Sequence, residues 1–362
     1  MTRLLGIERP IVLGPFGGGL SSVELAGIVS NAGGLGSFGA HHLNPDGIHE
    51  VVTALRAETT KPFSVNLWVP LGTEPSPAEA ADAFAAAREA LAPYYAALGL
   101  TPPALPERFG TPFEDQVEAL LDAAPPVFSF IYGVPSPAVL AECRRRGIVT
   151  LGTATHVAEA VALEAAGVDV VVASGSEAGG HRASFLGTPE TSPAASALVP
   201  QVVDAVSCPV IAAGGIADGR GVAAALALGA EAVQVGTAFL ACVESGTSDA
   251  HRAALTSEAA RATVLTRVFS GRLARGIPNA LRDGLEPLAQ SIPPYPVQNW
   301  LTSSIRREAA RQGRAEMLGL WAGQNAPLVR HRHARAFFDF LVADTEAQLA
   351  RLAGLSAGRI ER

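Results

Sequence analysis

The stretch Ala162-Leu163-Glu164-Ala165-Ala166-Gly167-Val168-Asp169-Val170-Val171-Val172-Ala173 holds the fold in miniature. Its alanine-rich start suits a helix, Gly167 suits the helix stop, and a nearly unbroken apolar run follows. Such a run fits a strand covered on both faces, as in a parallel sheet. The same grammar returns at Ala223-Ala224-Ala225-Leu226-Ala227-Leu228-Gly229-Ala230-Glu231, ahead of an apolar run. Helix, glycine stop, acidic residue and strand mark successive βα units. A doubly wound sheet shares that grammar, so the repeat alone does not decide whether the sheet closes.

Working outward, candidate strands fall at residues 11–16, 34–39, 63–69, 127–132, 148–154, 168–174, 210–213 and 232–236. Their number is the one an α/β barrel of the (β/α)8 TIM type requires. Ser21 or Ser22 suits the cap of a helix over 23–31, Thr155 one over 156–166, and Asp218 one ending near Leu228 and Gly229. Residues 70–125 break the repeat with an Ala- and Pro-rich insertion, whose helix is expected over 79–91, ending before Pro93. From about 243 onward the pattern turns helical and arginine-rich. The expected organisation is a barrel over 1–242 with a helical insertion at about 70–125, then a helical tail over 243–362 that caps the barrel mouth.

Composition excludes several classes. A net charge of −7 leaves no electrostatic footprint for nucleic acid. Cys143, Cys208 and Cys242 form no CxxC pair, which argues against a disulfide framework and for a reducing, cytoplasmic compartment. No apolar run approaches the ~20 residues of a membrane helix, and the N-terminus lacks a basic–apolar–cleavage pattern. His41 and His42 are adjacent, and His331 and His333 sit in an arginine run; neither pair has carboxylate or thiol partners at ligand spacing, so no metal is expected.

In such barrels ligands bind at the C-terminal ends of the strands. Gly14-Pro15-Phe16-Gly17-Gly18-Gly19 follows the first candidate strand. Gly214-Gly215 follows the seventh, and Gln234-Val235-Gly236-Thr237 closes the eighth. Amides at glycine loops and helix starts make an anion site, the customary phosphate clamp of barrel enzymes. Glu177-Ala178-Gly179-Gly180-His181-Arg182 follows the sixth strand. A histidine at the mouth is suited to proton transfer near neutral pH.

Glu177–Arg182, followed by Pro209-Val210-Ile211-Ala212-Ala213-Gly214-Gly215-Ile216, resembles the nitronate monooxygenase family, FMN-dependent TIM-barrel flavoproteins once called 2-nitropropane dioxygenases. The resemblance runs from Asn31-Ala32-Gly33-Gly34-Leu35-Gly36 through Lys61-Pro62-Phe63-Ser64-Val65-Asn66-Leu67 to Tyr295-Pro296-Val297-Gln298-Asn299 and Leu320-Trp321-Ala322-Gly323-Gln324. It implies an oxidoreductase that binds FMN and oxidises alkyl nitronates or nitroalkanes with molecular oxygen. It implies that Pro15, Phe16 and Gly17 lie beside the flavin ring, that Asn66 hydrogen-bonds it, and that Ser174 and Gly179 follow its polar edge. Gly214, Gly215, Gly236 and Thr237 would hold the phosphate, with Gln234 and Val235 adjoining. His181 would be the base or would orient the nitronate; Ile131, Tyr295, Trp321 and Gln324 would shape the substrate pocket.

The chain departs from its relatives at Phe16, where they usually carry methionine, at Ser174, where they carry glutamine, and at Ile131, where many carry histidine. Those departures imply a more apolar pocket. They leave open an FMN-dependent NAD(P)H enoyl-type reductase, a relative adapted to a biosynthetic oxidation, and a phosphate-binding barrel without redox activity. The expected partners are a small molecule and oxygen, not nucleic acid or membrane; nothing separates a monomer from a homodimer.

Overall fold

A computed structural model describes residues 1–72 and 74–356. Its strands are β1 (Ile11–Leu13), β2 (Gly36–Gly39), β3 (Phe63–Trp68), β4 (Val127–Ile131), β5 (Val149–Ala154), β6 (Val170–Ser174), β7 (Gly180–His181), β8 (Val210–Ala213), β9 (Ala232–Val235), β10 (Val264–Thr266) and β11 (Ala274–Gly276). Eight of them run parallel in the order β1-β9-β8-β6-β5-β4-β3-β2. The ends of that series meet: Leu13 N donates to the Leu35 carbonyl at 2.9 Å, and Leu35 N to that of Ile11 at 3.0 Å. The sheet therefore closes into a TIM barrel, and each expected strand has its counterpart.

β6 shows why its sequence is apolar throughout. Val170 and Val172 pack inside the barrel with Val12, Leu151 and Ile211. Val171 and Ala173 face the outer layer, packed with Leu198 and Val202. A strand buried on both faces has no polar alternation.

Four strands stop sooner than their apolar runs suggest, β3 by one residue at Trp68. β1 ends before Pro15, which has no amide to donate, and Phe16 N turns to the Ser21 hydroxyl at 3.1 Å. β4 ends at Ile131 because Tyr132 takes a left-handed φ of 73°. β9 ends at Val235, before the turn at Gly236.

The insertion corrects one expectation. Its helix spans Ala81–Ala97, with Pro93 inside it. The buried Tyr95 hydroxyl donates to the Leu301 carbonyl, and Phe84, Leu91 and Tyr95 join a second core with Leu301 and Ile305. That packing carries the helix past its proline, as tertiary contacts often override local preference.

The tail divides in two. Residues from Leu240 to Ala326 share this second core above the barrel. They are not wholly helical: β10 and β11 pair antiparallel and add β7, placing His181 opposite Ala274. The helix Ala334–Ser356 instead sends Phe337, Phe338 and Leu341 into the barrel's main core. It lies so close to the helix Gly219–Ala227 that a Cβ at Gly219 would overlap the backbone at Asp344. Among the described residues, no helix is long and apolar enough to cross a membrane.

Candidate active site

The C-terminal ends of the barrel strands open into a cavity of about 780 Å³, the size of a cofactor and small-substrate site. The second core roofs it. The site has two unlike walls, one made mainly of backbone and one of side chains.

The barrel wall is glycine-lined. Gly214 and Gly215 take left-handed φ values of 106° and 68°, a conformation that costs other residues free energy. Their loop is fixed by the Asn325 side chain, which donates to the Gly215 carbonyl. Opposite it, the Thr237 hydroxyl accepts from Gly323 N at 2.9 Å. No group among the described residues accepts from the amides of Gly214, Gly215 or Gly236. Three free amides lining one cavity could hold an anion such as a phosphate.

Further along, the Ser21 hydroxyl pins the loop after β1. It accepts from the amides of Phe16 and Gly39, each at 3.1 Å, and donates to the Phe16 carbonyl at 2.8 Å. A Cβ at Gly17 would overlap the His41 ring. Asn66 is buried within β3; its Nδ2 donates to the Ser129 hydroxyl at 3.1 Å and its oxygen is left for a ligand.

His181 stands where the two walls meet. Its Nε2 lies 2.8 Å from the Ser270 hydroxyl, and its ring lies between Trp68 at 4.9 Å and Trp321 at 5.2 Å. Burial, then the charges of Arg272, Arg306 and Arg182, pushes the imidazole down to about 3. The ring is therefore neutral at physiological pH. The Ser270 hydroxyl also lies 3.2 Å from the Arg272 carbonyl. With its proton directed there, Nε2–H donates to Ser270 and Nδ1 keeps a free lone pair. Arg182 supports the loop rather than the cavity chemistry: its Nη1 and Nη2 donate to the carbonyls of Gly175 at 3.0 Å and Ala178 at 3.1 Å.

The other wall is aromatic and cationic. Trp68 stacks on His41 with centroids 3.7 Å apart and planes 5° from parallel. Arg272 lies between two phenol rings, 4.3 Å from the Tyr132 centroid and 4.1 Å from that of Tyr295, and pairs with Glu74 at 3.6 Å. Behind Trp68 and His41 lies a smaller cavity of about 320 Å³, bounded by the insertion and by Tyr295.

Of the residues expected from sequence, Pro15, Phe16, Gly17, Asn66, Ile131, Ser174, Gly179, His181, Gly214, Gly215, Gln234, Gly236, Thr237 and Trp321 line the main cavity. Val235 does not; it is fully buried, and its carbonyl accepts from Gly14 N at 2.8 Å. Gln324 is not in that lining; its backbone N–H donates to the Glu177 carbonyl at 2.9 Å, and its neighbour Asn325 lines the cavity. Tyr295 lines the smaller cavity. Sequence reading passed over His41, His42, Trp68 and Arg306, all in the main lining, and Ser270 behind His181. Trp68 alone carried a signal: it sits two residues after Asn66 on one strand, hence on the same face.

Comparison with known proteins agrees with this geometry. The family model described as nitronate monooxygenase matches residues 1–337. A probable nitronate monooxygenase of Staphylococcus saprophyticus is 40% identical over 347 residues, covering 94% of this chain and 96% of its own. A crystal structure of nitroalkane oxidase from Streptomyces ansochromogenes superposes with a TM-score of 0.88 at 38% identity, covering 97% of this chain and 99% of its own. The structure of FabK from Thermotoga maritima gives a TM-score of 0.75 at 29% identity, covering 98% of each chain.

Proposed function

The chain belongs to the nitronate monooxygenase family, and we propose that it is an FMN-dependent oxidoreductase that oxidises alkyl nitronates or nitroalkanes with molecular oxygen. The family is flavin-dependent, and the residues present fit FMN. The amides of Gly214, Gly215 and Gly236, with Thr237, suit its phosphate; Asn66, Ser174 and Gly179 offer polar groups to its ring beside Pro15, Phe16 and Gly17. When bound, the flavin takes electrons from the substrate and passes them to oxygen.

The observation that carries this reading is a neutral imidazole facing a glycine-built anion cradle across one cavity. His181 Nδ1 takes the α-proton of a neutral nitroalkane, and Nε2–H on Ser270 holds the ring in that orientation. The ring contacts of Trp68 and Trp321 exclude water from the same space and fix the imidazole plane. Purified protein should be yellow and should consume oxygen with a nitronate; no consumption with any nitronate would reject the activity. His181→Asn should keep the flavin and lose about 100-fold or more in turnover of a neutral nitroalkane. A preformed nitronate, which needs no base, should be affected far less.

A further inference from the structure

The inner cavity has no acidic residue in its lining, yet several cations reach it. Arg182, Arg306 and Arg307 line it. Arg182 is engaged with loop carbonyls, Arg307 is exposed, and Arg272, at the smaller cavity, is engaged with two tyrosines and Glu74. Arg306 also meets carbonyl oxygens, but it has no carboxylate partner and one of its nitrogens is left over. It projects from the helix Val297–Arg311 into the cavity lining. Its Nη2 donates to the Asn299 side-chain oxygen at 2.8 Å and its Nε lies 3.4 Å from the Thr302 carbonyl. These acceptors are neutral, and among the described residues Nη1 has no acceptor. Burial pushes the guanidinium down to about 10, so it stays charged at neutral pH. Its field reaches both His181 and His41.

A desolvated cation without a counter-charge is costly, and an anion entering the cavity relieves that cost. A nitronate spreads one negative charge over two oxygens in a plane, which matches a guanidinium fork. A neutral nitroalkane gains much less there. We propose, resting on the nitronate reading for the substrate, that Arg306 is the anion anchor of the chamber and selects the ionised form, leaving proton transfer to His181. The division of labour assigns charge to one residue and basicity to the other.

The test uses nitrate, a planar monoanion, titrated calorimetrically into the flavin-loaded protein. Arg306→Gln should weaken nitrate binding about ten-fold or more, as expected for losing a charge-assisted hydrogen bond. It should raise KM for ethyl nitronate by a similar factor, with kcat and the KM for neutral nitroethane nearly unchanged. Arg311→Gln, which removes an exposed charge from the same helix, should change none of these. In the wild type, nitrate affinity should be flat from about pH 6 to about pH 9, because arginine stays charged there. The titratable and charged groups facing the same space are His41, His42, His181, His251, Arg182 and Arg307, with Glu74, Arg272 and Tyr295 at the smaller cavity. A histidine anchor would lose about ten-fold in affinity per pH unit above its own pKa, and that result overturns the proposal. So does unchanged nitrate affinity in Arg306→Gln, or loss of flavin in its place, which would assign Arg306 to the cofactor. Should Arg306→Gln fail to fold, the wild-type pH series decides. Nitrate binding is read without turnover. An Arg306-dependent anion site in a protein that oxidises no nitronate would sink the functional reading and leave the anchor standing; the opposite pair of results would do the reverse.

Discussion

The two walls of the cavity are built from different materials. The barrel wall works through backbone: free amides at Gly214, Gly215 and Gly236, and glycines where any side chain would collide. The other wall works through side chains: Trp68, His41 and Arg306 in the lining, with Tyr132, Tyr295 and Arg272 beside them. A backbone site is indifferent to most side-chain changes nearby, so on the proposed reading the departures at Phe16 and Ser174 should leave the amide cradle intact. A side-chain site depends on each residue it uses. If the proposed cofactor site is right, cofactor binding and substrate choice should be separable, and substitutions on the two walls should fail in different ways.

The largest failure is expected on the barrel wall. Gly17→Ala places a methyl group into the His41 ring, which can yield only by giving up its stack on Trp68. Overpacking of this kind costs about 1–3 kcal/mol, which corresponds to roughly 10- to 100-fold in flavin affinity if the loop shift is paid on binding. Flavin retained on gel filtration and a Kd from fluorescence quenching would measure it; a variant that binds flavin normally would mean that the backbone there need not be close-packed. On the other wall, Trp68→Ala should spare flavin binding and merge the two cavities, since Trp68 and His41 line both. The expected result is about ten-fold weaker selection between short- and long-chain nitronates, the scale of discrimination that apolar pocket walls provide. Unaltered chain-length preference, measured as the ratio of kcat/KM values, would remove Trp68 from specificity.

The same contrast explains what was legible in the sequence. Strands buried on both faces announce themselves as apolar runs, and left-handed turns announce themselves as glycines, so the barrel and its cradle could be read locally. The burial of Val235 outside the lining also had a local signal. Gln234 and Val235 are neighbours on β9, and neighbours on a strand face opposite ways. The aromatic wall gave fewer signals. Arg306 and Ser270 reach the site from a tail whose path depends on packing against the insertion, with Tyr95 bonded to Leu301 across more than two hundred residues. No spacing within the tail encodes that docking. The helix running through Pro93 was obscured for the same reason.

The smallest predicted effect tests the junction of the walls. Ser270 accepts from His181 Nε2 and from Arg272 N, and so joins the base to the clamped arginine. Ser270→Ala removes one neutral hydrogen bond, worth about 0.5–1.5 kcal/mol. Turnover of a neutral nitroalkane should fall roughly 3- to 10-fold, KM should hold, and Ser270→Thr should restore most of the loss. The acid limb supplies a second readout. With the imidazole at about 3, the base is already free well above that value, so the wild-type kcat should stay flat from about pH 5 to about pH 8. A folded-state pKa below the unfolded value of about 6.5 also means that His181 adds stability above that pH, and that this stability is lost as pH falls toward the folded value. The Ser270 bond favours the imidazolium, whose Nε2–H is the stronger donor, so its loss should move the limb to lower pH, not higher. An acid limb near 6.5 in the wild type would place His181 in water-like surroundings and dissolve the distinction between a neutral base and a charged anchor on which the side-chain wall depends.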